Sequence, residues 1–338
     1  MADATITELT VNNNLSAVNY IPISDGAETT RLGTNSLFGC RNRIINGNFS
    51  INQRAATVGA TDSYTLDRWI CVNQTANTTI TQQTNQADGI PFNIRIANGI
   101  TSQKFGIAQY IESANCRDLR GKQVTLSFLA RTSSLIPIRY GIINWTGTAD
   151  TITTPIITTF VTPPTVATGG TLNVTVSTLP AINTWNRLTY TFTNTSNMNN
   201  IIPIIMSSQT AGNANSNIDI ANVQLEEGPT ATPFEFRTIS TELAMCQRYY
   251  EILTADSEGV ALTSYVHNSA PTISNRSRWH FKVTKRISPT VNLVSGSWVG
   301  VTPTIYPSVE SAGFSSAAGL FATSHTVGAP ALYAAAEL

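Results

Sequence analysis

From residue 43 onward, apolar and polar residues alternate along most of the chain. The alternation is regular in "KFGIAQYIES", "GKQVTLSFLAR" and "TWNRLTYTFTNTS". A period of two with one polar face is typical of antiparallel strands that bury a single face. Thr189, Thr191 and Thr193 are predicted to point outward, and the residues predicted to point inward are Phe105, Ile107, Gln109, Ile111, Val124, Leu126, Phe128, Ala130, Leu188, Tyr190 and Phe192.

The segment "SNIDIANVQLEEG" changes phase partway along its length. Ile218 and Ile220 share one phase, whereas Val223 and Leu225 have the opposite one. A β-bulge at Ala221-Asn222 would bring both pairs to the same face. Several such strands, separated by Gly, Pro and Asn turns, predict an all-β fold, a jelly-roll sandwich, followed by one helix and a small C-terminal β domain.

The segment "RIINGNFS", residues 43–50, places an apolar pair directly before Asn-Gly-Asn and an aromatic residue. Asn-Gly tolerates the positive φ values that tight turns require. The pattern therefore predicts a first β-strand that ends in a turn.

Polar punctuation divides the chain into parts. Within the polar N-terminus, Val18–Ser24 and Thr30–Leu32 are predicted to form a hairpin whose turn begins at Asp25-Gly26. An isolated hairpin is marginal in water, so a partner surface or sister chains are expected. The predicted parts are an N-terminal attachment segment (1–40), a jelly roll (41–238), a helical connector (239–253) and a C-terminal β domain (254–338).

One helix is predicted in "TISTELAMCQRYYEIL". Ser240 is the expected N-cap, and Glu242 suits the positive end of the helix dipole. The helix either packs its apolar stripe on a domain or lines the axis of a trimer. The stripe consists of Ile239, Leu243, Cys246, Tyr250 and Leu253.

Residues 151–186 contain no charged residue, although Ile156, Ile157 and Phe160 provide apolar points. Three interpretations remain open: a long hairpin over the sandwich, a contact with another chain, or a Thr-rich loop on its own domain. Depletion of charge is typical of interface cores, which favours contact with another chain.

The C-terminal part has a predicted core strand pair in "NRSRWHFKVTKRISPTVNLV" and a closing strand in "GAPALYAAAEL". Trp279, Phe281 and Val283 share one face of the first strand. The cationic face is interpreted either as a guard on an edge strand or as a contact for acidic sugars or phosphate. Its residues are Arg276, Arg278, His280 and Lys282.

Composition limits the classes of partner. The chain has 338 residues, 12% charged residues and a formal net charge of +0. Bulk attraction to nucleic acid or to an anionic membrane is therefore not expected. No apolar run reaches the length of a membrane span, and "MADATITELT" lacks the pattern of a secretion signal, so synthesis and folding in a host cytoplasm are expected.

Catalytic and metal-binding motifs are not found in the sequence. It lacks C-x-x-C, G-x-S-x-G, H-E-x-x-H and a Gly-rich phosphate loop. Glu226 and Glu227 are adjacent on a predicted strand, so they point to opposite faces and do not form an acid–base pair. A non-enzymatic protein without a cofactor or metal is expected.

Five segments, in order, resemble a known domain: "INGNFSINQR", "SYTLDRW", "GKQVTLSFLAR", "TWNRLTYTFT" and "IDIANVQLEEGPTATPFEFRTISTELAMCQRYYE". They resemble a jelly-roll domain of bacteriophage and prophage tail-fibre and receptor-binding proteins, which is similar to the carbohydrate-binding modules attached to glycoside hydrolases. The match spans roughly residues 43–250, and its most specific parts are "QLEEG", "TPFEFR" and "CQRYYE". The C-terminal segment resembles the small β domain that ends many phage fibres.

The resemblance implies that "NGNF" opens the fold and that "IDIANVQL" closes it beside the first strand. The related modules often carry an acidic residue after the opening Phe that helps to hold a structural calcium. Ser50 occupies that position here, and Asp219 alone is a weak calcium site.

Sugar binding requires aromatic faces for stacking and planar polar groups for hydrogen bonds. Trp69 and Trp185 lie at predicted strand starts, where tryptophan more often closes a core. Trp145 in "INWTGTAD" precedes a Gly-containing turn and is the predicted platform, with Tyr140 beside it.

The resemblance implies a virion protein: a homotrimeric tail fibre or receptor-binding protein that binds phage tail or capsid proteins through residues 1–40 and recognises a host-surface polysaccharide. Two alternatives remain, a capsid decoration or cement protein and a carbohydrate-binding accessory of an enzyme.

Overall fold

The alternating strands in the central part of the chain form two antiparallel sheets that pack face to face. The computed structural model describes residues 20–24, 29–33, 41–55, 58–75, 78–84, 89–99, 103–209, 216–254, 263–269, 272–293, 304–316 and 330–338. Residues 43–338 form one compact unit, and residues 1–42 form another. The all-β prediction is confirmed.

The N-terminal unit contains the predicted hairpin. Its strands are β1 (Tyr20–Ser24) and β2 (Thr29–Gly33), which pair antiparallel. The predicted turn at Asp25-Gly26 lies outside the described residues.

The sandwich strands come next in the chain. In order, they are β3 (Val58–Gly59), β4 (Ile70–Asn73), β5 (Thr78–Thr84), β6 (Phe92–Ala97), β7 (Phe105–Ala108), β8 (Gln123–Thr132), β9 (Ile138–Trp145), β10 (Ile157–Thr159), β11 (Thr165–Val166), β12 (Gly170–Ser177), β13 (Asn186–Thr193), β14 (Asn200–Ser207) and β15 (Asn217–Glu227). Two 3-10 turns, Ser113–Asn115 and Arg117–Leu119, follow β7.

Eleven of these strands form the sandwich as a five-stranded and a six-stranded sheet, and β10 and β11 form a separate two-stranded sheet. The orders are β12-β9-β14-β7-β4 and β13-β8-β15-β6-β5-β3. The predicted inward residues of β7 and β8 are buried between the sheets, as are Gln109 and Ile111. In β13, Phe192 is buried, and Leu188 and Tyr190 pack against the same core. The alternation therefore identified the buried face correctly.

The predicted bulge in β15 is confirmed. The register of β15 with β8 shifts between Ala221 and Gln224, and Asn222 has a φ of 51°. As a result Ile218 and Val223, which differ in phase, both lie fully buried in the same core.

The prediction that "RIINGNFS" forms a first strand is wrong. Residues 41–50 have no strand, and both Asn46 and Phe49 have positive φ. The segment still lies beside β15, because the Val223 amide donates to the Gly47 carbonyl at 2.8 Å. The side-chain amide of Gln109 makes the two backbone hydrogen bonds with Ile45 that a neighbouring strand would otherwise make. It accepts from the Ile45 amide at 2.9 Å and donates to the Ile45 carbonyl at 2.8 Å.

The arm formed by residues 151–167 lies on its own sandwich. Ile156 and Ile157 are buried against the outer face of the five-stranded sheet, which agrees with the interpretation of a hairpin over the sandwich. Lys104 fixes the arm, since its Nζ donates to the carbonyls of Phe160 at 2.6 Å and Val161 at 3.1 Å. These apolar residues therefore already have a partner within the chain.

The predicted helix is shorter than its pattern and begins elsewhere. Helix α1 (Ile239–Gln247) has Thr238, not Ser240, as its N-cap, with the Thr238 side chain accepting from the Thr241 amide. Ile239 is 63% exposed, whereas Cys246 is buried. Tyr250 and Leu253, the last two residues of the predicted apolar stripe, lie beyond the helix in strand residues 250–254.

Two small sheets follow the helix. Their strands are β16 (Tyr250–Thr254), β17 (Thr263–Ser269), β18 (Thr272–His280), β19 (Thr290–Leu293), β20 (Thr304–Pro307), β21 (Ser311–Ser316) and β22 (Pro330–Ala335), in the orders β16-β22-β19 and β17-β18-β21-β20. The predicted pairing of the two strands in residues 275–294 is wrong, because β18 and β19 belong to different sheets. The predicted closing strand is confirmed as β22, between β16 and β19.

A buried ionic junction ties the last residues of the chain to the sandwich. The guanidinium of Arg68, which is 1% exposed, pairs with the carboxylate of Glu337. Arg54 pairs with the same carboxylate at 2.5 Å. The Arg68 guanidinium also lies 3.6 Å from the ring centroid of Tyr249 and donates to the Tyr110 carbonyl at 2.5 Å.

Gly47 is required by the close approach of β15. A Cβ at this position would lie 2.2 Å from the Val223 carbonyl oxygen, a backbone atom that cannot move aside. We expect Gly47→Ala to lower the free energy of unfolding by about 2 kcal/mol through overpacking. Chemical denaturation measures the change. Gly99→Ala is the matched control, because nothing lies within 4 Å of the added Cβ; an equal loss in both variants would contradict the steric explanation.

Glu337→Ala should leave the Arg68 charge buried without its carboxylate. Removal of one partner from a buried pair costs about 3–5 kcal/mol, so we expect a loss of that size in the free energy of unfolding. Glu227→Ala removes a pair of exposed side chains, Glu227 with Lys122 at 2.9 Å, and should cost about 1 kcal/mol or less. Similar denaturation midpoints for the two variants would show that the junction contributes little.

Candidate functional site

Neither predicted aromatic platform is available to a ligand. Trp145 is 2% exposed, and its indole Nε1 donates to the Thr148 carbonyl at 3.1 Å. Tyr140 is 3% exposed and points into the core, where its ring meets Phe128 edge-on. The prediction that Trp145 is an exposed platform is wrong, because Trp145 belongs to the apolar cluster of the five-stranded sheet on which the arm packs.

Trp185 is the half-buried tryptophan that lies outside the core clusters. The guanidinium of Arg131 lies 4.7 Å from the centroid of its ring, within the range of a cation–π contact. The predicted role of Trp185 in closing a core is therefore wrong. The signal was present in the sequence, since Thr189, Thr191 and Thr193 point outward and Trp185 shares their parity.

Strand register places Arg131, which contacts Trp185, in line with two further charged residues. Asp219 in β15 stands opposite Arg131 in β8 on one side and opposite Arg95 in β6 on the other. Thr81 in β5 stands opposite Arg95. We call these five residues the Trp185 row; it crosses the outer face of the six-stranded sheet, perpendicular to the strands.

The charged groups of the Trp185 row are held in fixed geometry. Arg95 donates to both carboxylate oxygens of Asp219, from Nε and from a terminal nitrogen, each at 2.8 Å. Arg131 Nε donates to the same carboxylate at 2.8 Å. Hydrogen bonding to Asp219 raises the pKa of the Arg95 guanidinium despite partial desolvation. The Arg95 side chain remains 36% exposed.

The same contacts bear on whether Asp219 could serve as a calcium ligand. Its carboxylate is 4% exposed and is occupied by two guanidinium groups. Among the described residues, no group of three or more His, Cys, Asp or Glu side chains that could hold a metal ion is found.

The Trp185 row has the chemistry of a sugar contact. A tryptophan face stacks on the C–H surface of a sugar ring, and guanidinium groups donate paired hydrogen bonds to hydroxyl or carboxylate oxygens. With Asp219 balanced by one arginine, the row keeps one net positive charge. Since Arg95 and Arg131 are already oriented by Asp219, little side-chain entropy would be lost on binding.

The cationic residues of the C-terminal unit are arranged differently from the prediction. Strand β18 pairs with β17 and with β21, and Arg276 stands opposite Tyr265 and Ser315. It is therefore an inner strand, and the interpretation of an edge guard is wrong. Arg278 and His280 are exposed on either side of buried Trp279.

Lys282 does not continue the cationic face of β18. It lies beyond the end of the strand and is exposed, with its backbone amide donating to the Glu251 carboxylate at 3.1 Å. The side chain of Arg276 lies outside the described side chains. Among the described groups, only Arg278 and His280 therefore share the predicted cationic face.

Buried carboxylates in the sandwich are engaged in structural bonds. Asp67 accepts from the amide and the side chain of Gln53 at 2.6 and 2.7 Å, and burial raises its pKa. Asp62 accepts from the Ile156 amide of the arm and from the Tyr110 hydroxyl, each at 3.3 Å, and burial raises its pKa as well. Each carboxylate orders a segment of backbone.

Buried cysteine thiols are likewise poor nucleophiles. Burial raises the pKa of Cys71 to about 11 and that of Cys116 to about 12. Both thiols therefore stay protonated at neutral pH, where only a thiolate is reactive.

The motifs that carry the phage resemblance hold the junction of sandwich and helix. In "QLEEG" and "TPFEFR", Glu226 accepts from the Thr232 amide at 2.9 Å, and Gln224 accepts from the Glu235 amide at 2.8 Å. In "CQRYYE", the Tyr249 hydroxyl donates to Glu112 at 2.9 Å. These hydrogen bonds stabilise the fold around helix α1.

Comparison with known proteins gives matches in structure alone. No family model matches the chain, and no curated protein matches its sequence. A candidate sugar binding protein from Bacteroides thetaiotaomicron has 16% identity and a TM-score of 0.38, with 55% of this chain and 100% of that chain covered. A tailspike protein 4 domain of bacteriophage CBA120 has 11% identity and a TM-score of 0.35, with 56% and 22% covered.

A third similar structure is the module TmCBM61 in complex with β-1,4-galactotriose. Its identity is 12% and its TM-score is 0.33, with 56% of this chain and 99% of that chain covered. Among the described residues, no helix combines the length and apolar character needed to cross a membrane.

Proposed function

We propose that the protein is a non-enzymatic, glycan-binding component of a bacteriophage particle, a tail fibre or receptor-binding protein that contacts a host-surface polysaccharide. The observation that carries the proposal is the Trp185 row. It combines a tryptophan face with two guanidinium groups that Asp219 holds in place, on the outer face of the six-stranded sheet. A sugar with a carboxylate or phosphate substituent suits the net positive charge of the row.

The covering of the other sheet supports this choice of face. The outer face of the five-stranded sheet is occupied by the arm and by Leu338. A ligand there would have to displace Ile156 and Ile157, which are fully and almost fully buried. On the six-stranded sheet, Arg95 and Trp185 are partly exposed, so the row presents part of its surface to solvent.

The sequence motifs support the particle assignment. "QLEEG", "TPFEFR" and "CQRYYE" resemble segments of phage tail-fibre proteins. Their residues bond β15 to the loop before helix α1, through Glu226 and Thr232, and bond Tyr249, after the helix, to Glu112. The N-terminal unit, which contains the β1–β2 hairpin, is the proposed attachment segment, and the Trp185 row is the proposed receptor contact.

Trp185→Ala should weaken glycan binding by about fivefold, because loss of a stacking face removes on the order of 1 kcal/mol. Binding to purified host-envelope polysaccharides, immobilised on a sensor surface, measures the change. Phe236→Ala is the matched control, since Phe236 is an aromatic residue, 66% exposed, that lies outside the row.

The comparison of these two variants decides whether the row is the contact. Unchanged affinity in Trp185→Ala, or an equal loss in Phe236→Ala, would rule out the row as the glycan contact. Acidic and neutral polysaccharides in the same panel test the charge preference. Thermal melting of each variant separates a lost contact from a lost fold.

Antibody labelling of intact particles tests the location. We expect label at the tail. Particles produced with a chain that lacks residues 1–40 should carry no label, because the N-terminal unit is the proposed anchor. Label over the shell would instead indicate a capsid decoration protein. Label that persists without residues 1–40 would contradict the attachment role.

A further inference from the structure

The sandwich has four sheet edges, and they differ in how they are protected. At one end, β3 has two residues and β4 has four. At the other end, β13 carries exposed Arg187, whose guanidinium bonds to the Thr232 carbonyl. The fourth edge, β12, has eight residues. Short strands and charged residues are the usual ways in which proteins prevent strands from pairing at sheet edges.

Strand β12 has none of these protections. Its sequence, "GTLNVTVS", contains no charged residue and no proline. Its register with β9 is continuous from Gly170 to Ser177, so no bulge twists the edge away. It also lies within residues 151–186, which contain no charged residue at all. A long, regular and uncharged edge is a template for another strand.

The phase of the β9–β12 ladder shows which backbone groups are free to pair. The Thr146 amide donates to the Gly169 carbonyl at 2.7 Å, which makes Trp145 and Gly170 a non-hydrogen-bonded pair. The amides and carbonyls of Leu172, Val174 and Val176 therefore point away from β9. In the part of the chain that the structure describes, no group bonds to them.

The side chains of these three residues form an apolar strip along the edge. Leu172 and Val174 pack against the cluster on the outer face of the five-stranded sheet. Val176 is 43% exposed. A second strand at this edge would cover the strip and extend the same apolar layer.

We propose that β12 pairs with β12 of a second copy of this chain, antiparallel, about a two-fold axis at Val174. In this register Val174 faces its own copy, and Leu172 faces Val176 of the other copy. All three residues with free backbone groups are then hydrogen-bonded, because each pair exchanges two bonds. The two five-stranded sheets join into one continuous sheet across the dimer.

The composition of β12 points to a second copy as the partner. At a two-fold axis a strand meets its own sequence, so any charged residue near the axis would lie close to an identical charge. Of the two eight-residue edge strands, β12 is the one that carries no charge and therefore tolerates self-pairing. On the other face of the strand, Asn173 would lie opposite Thr175, two groups that can hydrogen-bond.

Self-pairing of β12 joins two copies, which differs from the homotrimer expected from the sequence. The charge-free segment no longer supports a trimer by itself, because the arm within it packs on its own sandwich. The contact of β12 is independent of the Trp185 row, which lies on the other sheet.

Val176→Lys tests the proposal by placing a charge at the edge. The lysine side chain can stay hydrated at this exposed position in the monomer. It should break the dimer, because each copy adds a charge beside the two-fold axis. We expect sedimentation of the full chain at micromolar concentration to show half the wild-type mass. Leu135→Lys is the control, because Leu135 is 64% exposed and lies outside the strands; its mass should equal that of wild type.

Amide hydrogen exchange provides a second readout that carries its own control. The amides of Asn173 and Thr175 bond to β9 and should be protected in both the wild type and Val176→Lys. The amides of Leu172 and Val174 should be protected in the wild type alone. Rapid exchange of these two amides in the wild type, together with a monomeric mass, would overturn the proposal.

Two further results would also overturn it. If Val176→Lys keeps the wild-type mass, the copies associate through another surface. If the wild type is monomeric and its outward amides become protected only when host or particle components are added, the edge binds a different chain.

Discussion

The buried guanidinium of Arg68 is the constraint on which the assembly of the chain depends. A charge that is 1% exposed must be paired and hydrogen-bonded, and its partners come from three separate segments. Glu337 belongs to the last residues, Tyr110 follows β7, and Tyr249 follows helix α1. Because one charge gathers all three, the C-terminal β unit and the sandwich form a single compact unit.

The covering of the two outer faces determines where a ligand surface is available. The five-stranded sheet is covered by the arm, which Lys104 and Asp62 hold in place through bonds to its backbone. The six-stranded sheet leaves its polar side chains partly exposed, and strand register lines up Arg131, Asp219 and Arg95 beside Trp185. The outer face of the five-stranded sheet is therefore covered by residues of the same chain, whereas the outer face of the six-stranded sheet is polar and partly exposed.

Local pattern predicted the strands well and predicted the covering segments poorly. The alternation in β8 identified its core side, and the phase change in β15 located the bulge at Asn222, because both follow from the two-residue period. Trp185 was misassigned although it shares the outward parity of Thr189. Trp145 was misassigned because the two-residue period gives a face and does not show what lies on it, here the arm. "RIINGNFS" was misassigned because Gln109 supplies the hydrogen bonds of a neighbouring strand. Neither contact has a local signal.

The distance along the chain between Arg68 and Glu337 has a consequence for biosynthesis. The two residues are 269 positions apart. At about 5–20 residues per second, an interval on the order of tens of seconds separates their emergence during translation. For that time the Arg68 guanidinium lacks the carboxylate that pairs with it in the folded chain. The buried pairing of Arg68 is therefore completed only after residue 337 has been translated.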